Sequence, residues 1–191
     1  MRRWLAPCVL LATALAGMLT ARAGPDAAAA AQERPTTITL SQSSGPPDAN
    51  VTVPVYFAAA EGVRTGRLEL SVDYPPTELS FVNAELSGLS EGVGVTLEVG
   101  AETTADRATV HVVLSAASGA GEPEPVPDGP LVYLVFKVAA HTAPGTLLAL
   151  MPTPAISTLD DPTQPVTPVE APEGQIVVSK PGIIACFFYM H

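Results

Sequence analysis

The sequence predicts an all-β protein with the architecture of a β-sandwich or jelly roll. From Thr36 onward, short runs of β-branched and apolar residues alternate with polar ones, as in strands that bury one face. Clusters of Gly, Pro, Asp and Ser separate these runs at near-regular spacing, and no window shows an apolar stripe of helical period and length. Many short strands divided by turn signals are typical of sandwiches.

Nine runs have the length and composition of strands. They cover residues 36–42, 50–59, 65–74, 79–86, 93–101, 107–117, 130–140, 146–151 and 174–179. Residues 131–136 are apolar at every position, which predicts a strand that is central or covered on both faces.

The alternation also predicts which side chains of the middle strands face the core. The inward set comprises Leu68, Leu70, Val72, Tyr74, Val93, Val95, Leu97, Val99, Val110, Val112 and Leu114. The outward set on the run 65–74 comprises Arg67, Glu69, Ser71 and Asp73.

Prolines indicate where the strands stop. Pro54 falls inside a predicted strand and, because it offers no N–H to a ladder, predicts an edge strand or a bulge there. Residues 119–130 hold four prolines and three acidic residues, which predicts a long exposed loop. Residues 151–172 are similarly rich in proline and predict a second surface crossing between the last two strands.

The N-terminus has the order of a secretory signal. Arg2 and Arg3 precede an apolar stretch over residues 4–19, and an A-x-A site at Ala21–Ala23 follows. The apolar stretch is shorter than the roughly 20 residues that a membrane-spanning helix needs. We therefore expect a signal peptide over 1–23, a mature chain without a membrane span, and a secreted or cell-surface location.

The rest of the chain divides into three parts. Residues 24–35 include five consecutive alanines and predict a linker, and residues 36–180 form the sandwich domain. Residues 181–191 are strongly apolar but too few to span a bilayer. Three origins are open for this tail: the remnant of an anchor, a β extension that docks on the sandwich, or an altered reading frame.

Charge and cysteine content exclude some function classes. The formal charge is −10, and it becomes −13 once the three arginines of the signal are removed. Such a surface repels phosphate backbones, so nucleic-acid binding is excluded. Removal of Cys8 with the signal leaves Cys186 alone, so no intramolecular disulfide is expected.

The sequence offers little that would carry catalysis. Residues 88–92 match the G-x-S-x-G nucleophile elbow, but no helix pattern follows, and we interpret them as a polar loop. His111, His141 and His191 stand at no metal-ligand spacing to one another or to Cys. Nothing selects a pair of carboxylates for glycoside hydrolysis. We therefore predict a protein that is not an enzyme.

Two acidic segments are the candidates for a metal ion. Asp160-Asp161, and the loop with Glu122, Glu124 and Asp128, could bind calcium, although the D-x-D-x-D-G rhythm of a calcium loop is missing. We predict no cofactor, with a structural calcium as the open alternative.

Four segments, in the same order and spacing, resemble the cohesin domain. They are 45–57 (GPPDANVTVPVYF), 68–81 (LELSVDYPPTELSF), 128–138 (DGPLVYLVFKV) and 173–179 (EGQIVVS). The resemblance covers nearly the whole chain from Thr36 to Ser179 and implies a nine-stranded, mostly antiparallel jelly-roll sandwich.

The resemblance also implies a function and a site. Cohesins are binding modules that capture dockerins, small calcium-loaded modules of secreted enzymes, in polysaccharide-degrading or cell-surface assemblies. The dockerin lies mainly on the face formed by the third, fifth, sixth and eighth strands. The corresponding outward positions here are Arg67, Glu69, Ser71, Thr96, Glu98, Thr109, His111 and Val113. Arg67 and Glu69 fall where the family usually has an Asn and an Asp.

Two other functions share the predicted fold. A carbohydrate-binding module grips sugar rings with a strip of exposed aromatics, but the mature chain has no tryptophan, and several of its aromatics fall at inward strand positions. The second alternative is a structural or adhesive envelope protein, which sequence patterns barely distinguish from a binding module.

Overall fold

The computed structural model describes residues 34–104, 106–117 and 123–181. The signal peptide and all of the linker except Arg34 and Pro35 lie outside the described residues, as does the tail beyond Pro181. In chain order the elements are β1 (Thr36–Leu40), β2 (Ser43–Gly45), β3 (Asn50–Ala58), β4 (Thr65–Tyr74), β5 (Leu79–Leu86), α1 (Gly88–Gly92), β6 (Thr96–Thr103), β7 (Ala108–Ser115), β8 (Gly129–Val138), β9 (Leu147–Thr158), β10 (Val169–Glu170) and β11 (Gly174–Val178).

The strands form two sheets that pack as a sandwich. One sheet has the order β10-β1-β3-β8-β5 and the other has the order β2-β11-β9-β4-β7-β6. The pairings β1–β10 and β2–β11 are parallel and the others are antiparallel. The predicted all-β, mostly antiparallel sandwich is confirmed, and the short strands β2 and β10 account for eleven strands in place of nine among the described residues.

The core lies between the sheets and is built from the inward rows. Leu68, Leu70 and Val72 of β4 are at most 1% exposed. On the other sheet, Phe136 packs edge to face against Tyr74 and Phe81, with ring centroids 5.2 and 5.8 Å away. β8 is central, between β3 and β5, as its apolar run predicts.

The inward prediction is wrong at one end of β6. Val95 is buried, but Leu97 is only half-buried and Val99 is 42% exposed. β6 is the edge strand of its sheet and has a neighbouring strand on one side only. The inner side of Val99 is therefore left open to solvent at this edge.

The proline-rich crossing after residue 151 begins later than predicted, because β9 continues to Thr158 through Pro152 and Pro154. Pro152 and Pro154 are two residues apart, so the two positions without an N–H group face the same side of the strand. β4 pairs with β9 on the opposite side, and β11 pairs with β9 only as far as Leu150. The prolines therefore cost the ladder no hydrogen bond.

Two further predictions about proline segments are corrected in part. Of the two alternatives at Pro54, the edge strand is wrong, because β3 lies between β1 and β8, whereas the bulge is supported by a register shift at Val55/Tyr56. In the loop before β8, Val126 is only 4% exposed, and its N–H donates to the carbonyl of Thr65 at 2.8 Å. This loop is therefore pinned to the sandwich at Val126.

The alternation predicts Asp73 on the solvent side, but its side chain is only 7% exposed. One carboxylate oxygen accepts a hydrogen bond from the Arg107 guanidinium, and the other accepts from Thr109 Oγ1 at 2.5 Å. Burial alone would raise the pKa of Asp73, but the two hydrogen bonds and the charge of Arg107 together hold it below its ordinary value of 3.8. Asp73 thus ties the end of β4 to β7.

Replacing Asp73 should therefore lower stability in a pH-dependent way. We expect Asp73→Asn to lose about 1–3 kcal/mol of unfolding free energy at pH 7, because the charge-assisted hydrogen bond disappears. The native pKa is depressed, so the contribution is present above pH 3.8 and fades as pH falls through the native pKa. Denaturant unfolding at pH 7 and pH 3 measures both effects. Asp106→Asn, which alters an exposed neighbour, is the control, and an equal loss in it would contradict the assignment.

Candidate functional site

Four adjacent strands, β9, β4, β7 and β6, present one continuous outer face, which we name the four-strand face. Because side chains alternate along each strand, the odd-numbered residues of β9, β4 and β7 and the even-numbered residues of β6 point outward together. The registers align them in rows: Ser157–Arg67–Ser115–Thr96, Ala155–Glu69–Val113–Glu98, Thr153–Ser71–His111–Gly100 and Met151–Asp73–Thr109–Glu102.

All eight site residues predicted from the sequence lie on this face. Arg67, Glu69 and Ser71 lie on β4, and Thr96 and Glu98 lie on β6. On β7, Val113 and His111 pair with Glu69 and Ser71, and Thr109 pairs with Asp73 one row further on. The third, fifth, sixth and eighth of the nine predicted strands correspond to β4, β6, β7 and β9. These four strands are neighbours in one sheet.

The sequence reasoning missed the β9 edge of the face. Met151, Thr153, Ala155 and Ser157 point outward in the four rows, and Met151 is 49% exposed. Pro152 and Pro154 favour a loop at the level of sequence, and a loop has no regular outward positions. The signal that could have found them is the period of two in the prolines themselves.

Polar contacts hold the side chains of β4 in place. Arg67 Nε donates to Glu69 Oε1 at 2.7 Å, and each of these side chains is about half exposed. Ser71 Oγ and His111 Nδ1 lie 2.9 Å apart across the β4–β7 pair. Ala155, Thr153 and Gly100 stand in the same two rows and are exposed, so the middle of the face is accessible.

A depression of about 300 Å³ adjoins the Arg67 end of the face. Arg67 and Glu69 form one wall and the segment Pro162–Pro165 contributes to the other. Hydrogen bonds fix this segment, because Asp161 accepts from both the N–H and the hydroxyl of Thr163 at 3.0 and 2.7 Å. The same contacts lower the pKa of Asp161. The depression is therefore bordered by an ordered loop.

The G-x-S-x-G segment is a helical turn, not the polar loop that we expected. Ser87 caps α1 by accepting a hydrogen bond from the Ser90 N–H at 3.1 Å. Ser90 is fully buried, and its Oγ donates to the carbonyl of Leu131 at 3.0 Å. A serine in this position holds α1 against β8 and has no access to a substrate.

Three of the acidic residues considered for calcium, Asp128, Asp160 and Asp161, are engaged with protein donors. Asp128 Oδ1 accepts from the Ala59 N–H at 2.8 Å, and Asp160 pairs with Arg64 at 3.3 Å. Within the described ranges, no group of three or more His, Cys, Asp or Glu side chains could hold a metal ion. A structural calcium therefore stays a prediction, and Glu122 lies outside the described residues.

The described part of the chain also contains no helix long and apolar enough to cross a membrane.

Several solved structures that are similar to this chain are cohesins. The sixth cohesin of scaffoldin B from Acetivibrio cellulolyticus, in complex with a dockerin, is 17% identical, with a TM-score of 0.61 over 76% of this chain and 100% of that one. A Clostridium thermocellum type I cohesin–dockerin complex is 15% identical, with a TM-score of 0.62 over 76% and 99%. A non-cellulosomal cohesin from the archaeon Archaeoglobus fulgidus is 20% identical, with a TM-score of 0.56 over 77% and 93%.

A family model decides what the fold alone leaves open. A search among curated proteins finds no match. The model of the cohesin domain, however, matches residues 36–178, which is most of the chain and all of the described sandwich from β1 to β11. The chain therefore belongs to the cohesin domain family.

Proposed function

We propose that this protein is an exported, non-catalytic binding module that captures a dockerin-like protein module with the four-strand face. The observation that carries the proposal is the alignment of β9, β4, β7 and β6 into one open face in a chain of the cohesin family. Two of the similar solved structures are cohesins bound to dockerins. Cohesin domains are binding modules and not enzymes.

The composition of the face suits a protein partner. Its middle rows combine the small or apolar side chains of Ala155, Ser71 and Val113 with Glu69 and His111. The carboxylates of Glu98 and Glu102 line its β6 edge. Protein interfaces commonly combine apolar contacts with polar groups in this way. The acidic edge favours a partner with basic residues on the matching side.

The Arg67–Glu69 pair determines the selectivity in this proposal. The two groups bind each other at 2.7 Å and stand where the family usually has an Asn and an Asp. A partner must therefore present its own acceptor to the guanidinium and its own donor to the carboxylate. A dockerin that recognises a neutral amide at the first position would desolvate the Arg67–Glu69 ion pair without satisfying the remaining guanidinium donors, which costs affinity.

Exchanging the two charges tests this site. We expect the double variant Arg67→Glu/Glu69→Arg to bind the module isolated from the organism's own secretome about tenfold or more weakly, because the charge order across the interface is reversed. Titration calorimetry with the purified module measures the change. The variant keeps the net charge and can keep the local ion pair, so thermal unfolding should be nearly unchanged.

The chain offers a matched control for this exchange. Asn83 and Glu85 stand two residues apart on β5 and are joined by a 2.8 Å hydrogen bond on the other sheet. The double variant Asn83→Glu/Glu85→Asn should bind like the wild type. If both double variants bound the module with wild-type affinity, the binding site would have to lie away from the Arg67 end.

Export is the second part of the proposal and rests on the A-x-A site after the apolar stretch. We expect secreted protein to begin near Gly24, because signal peptidase cuts after such a site. N-terminal sequencing of the secreted chain measures this directly. Secreted protein that retains Met1 would contradict it.

Direct binding of polysaccharide is the weaker alternative. Of the aromatic side chains in the described ranges, Tyr56 on β3 is the only one more than two-fifths exposed, so a flat strip of rings for sugar stacking is not formed there. We expect negligible retention on cellulose or chitin columns at concentrations where the protein partner is captured. Strong retention that Tyr56→Ala abolishes would instead assign the β3 face to carbohydrate.

A further inference from the structure

β9 has an unpaired edge at its beginning. β4 pairs with β9 only from Met151 onward, and beyond Tyr74 the chain turns away at Pro75 and Pro76. β11 lies on the other side of β9 and pairs with Leu147–Leu150. For these four residues, about 13 Å of strand at 3.3 Å per residue, the side that β4 would cover is left open.

The direction of the backbone groups at this edge follows from one hydrogen bond. The Val178 N–H donates to the Thr146 carbonyl at 2.9 Å, so Thr146 points toward β11. Alternate residues of an antiparallel strand point their N–H and C=O groups to opposite sides. Leu148 and Leu150 therefore point toward β11, whereas Leu147 and Ala149 point away from it. No backbone group of the described residues pairs with Leu147 or Ala149 on that side.

The open edge borders a cleft of about 620 Å³. Its β9 wall carries Leu147 and Met151, which are 59% and 49% exposed. These are two large apolar side chains left in solvent beside unpaired backbone donors and acceptors. Edges of this kind accept an added strand.

The other walls of the cleft are acidic. Asp73, Glu78 and Asp106 line it together with Arg107, and Arg107 is already bound to Asp73. No cation among the described residues pairs with Glu78 or Asp106. The lining thus has a formal charge of −2 and attracts a basic occupant.

We propose that this cleft is a docking site for an extended segment of a partner protein that carries basic and apolar side chains and adds a strand to the free edge of β9. Its backbone would pair with Leu147 and Ala149. Its apolar side chains would pack on Leu147 and Met151, and its basic side chains would reach Glu78 and Asp106. The site is separate from the Arg67 end of the four-strand face and does not depend on the proposed dockerin function.

Charge distinguishes this occupant from two others. A second copy of the chain would bring a formal charge of −10 toward an acidic cleft, and the two would repel. The chain's own residues 182–191 contain no Lys or Arg to pair with Glu78 and Asp106.

The test uses the full chain and a labelled hexapeptide of alternating Lys and Val as the probe. Fluorescence anisotropy should show saturable binding that the double variant Glu78→Lys/Asp106→Lys weakens about tenfold or more, since two attractions become repulsions. The control Glu91→Lys/Glu173→Lys makes the same change in net charge at exposed positions outside the cleft and should change the affinity less than about twofold. Equal weakening in the two variants would overturn the proposal.

Two further measurements test the strand pairing itself. The same peptide with every internal amide N-methylated should not bind, because it cannot form the ladder. The Leu147 and Ala149 amides should exchange faster than the Leu148 and Leu150 amides in the free protein and become protected when the peptide is added. Binding of the N-methylated peptide with equal affinity would overturn the proposal. Protection of the Leu147 and Ala149 amides in the free protein would also overturn it in two cases. Protection that is lost when residues 182–191 are deleted would assign the edge to the chain itself. Protection that is lost on dilution would assign it to a second copy.

Discussion

The register of β4 is the constraint on which the rest of the structure depends. β4 lies between β9 and β7, with Leu68, Leu70 and Val72 in the core and Arg67, Glu69 and Ser71 on the outer face. Because side chains alternate with a period of two residues, a slip of one residue would bury the charges and expose the leucines. The core and the candidate binding face are therefore two consequences of one register, and neither can change without the other.

Local patterns were sufficient to predict much of this arrangement. Alternation in β4 and β7 predicts both the buried row and the outward row, because each of these strands has a neighbour on both sides and the core on one face. The apolar run in β8 predicts a central strand for the same reason. Alternation fails at Val99. The strand itself is predicted correctly, but the opposite sheet does not cover this side chain. A sequence pattern states which side of a strand is apolar and not whether anything packs there.

The other errors concern partners that are distant in sequence. Asp73 looks like one more solvent-facing polar residue until β7 brings Thr109 and Arg107 beside it. Ser90 resembles a nucleophile by its flanking glycines, but the carbonyl of Leu131, 41 residues later, accepts its hydrogen bond. Pro152 and Pro154 suggest a loop because proline lacks an N–H for a ladder. They fit in β9 only because β4 pairs on the side of the strand where no proline N–H is needed, and the local sequence does not show that side. The family resemblance supplied the adjacency of the four strands, which spacing alone could not provide.

The four-strand face combines an accessible middle with distinct ends. At one end the Arg67–Glu69 pair meets an ordered loop, and at the other Asp73 and Met151 adjoin the acidic cleft beside β9. The most direct test of the central claim is amide chemical-shift mapping of the full chain with its captured partner module. The account predicts shifts concentrated at outward residues such as Arg67, His111, Val113 and Ala155, with β1, β3, β5 and β8 nearly unaffected. Shifts concentrated on the β3–β8 sheet would contradict it.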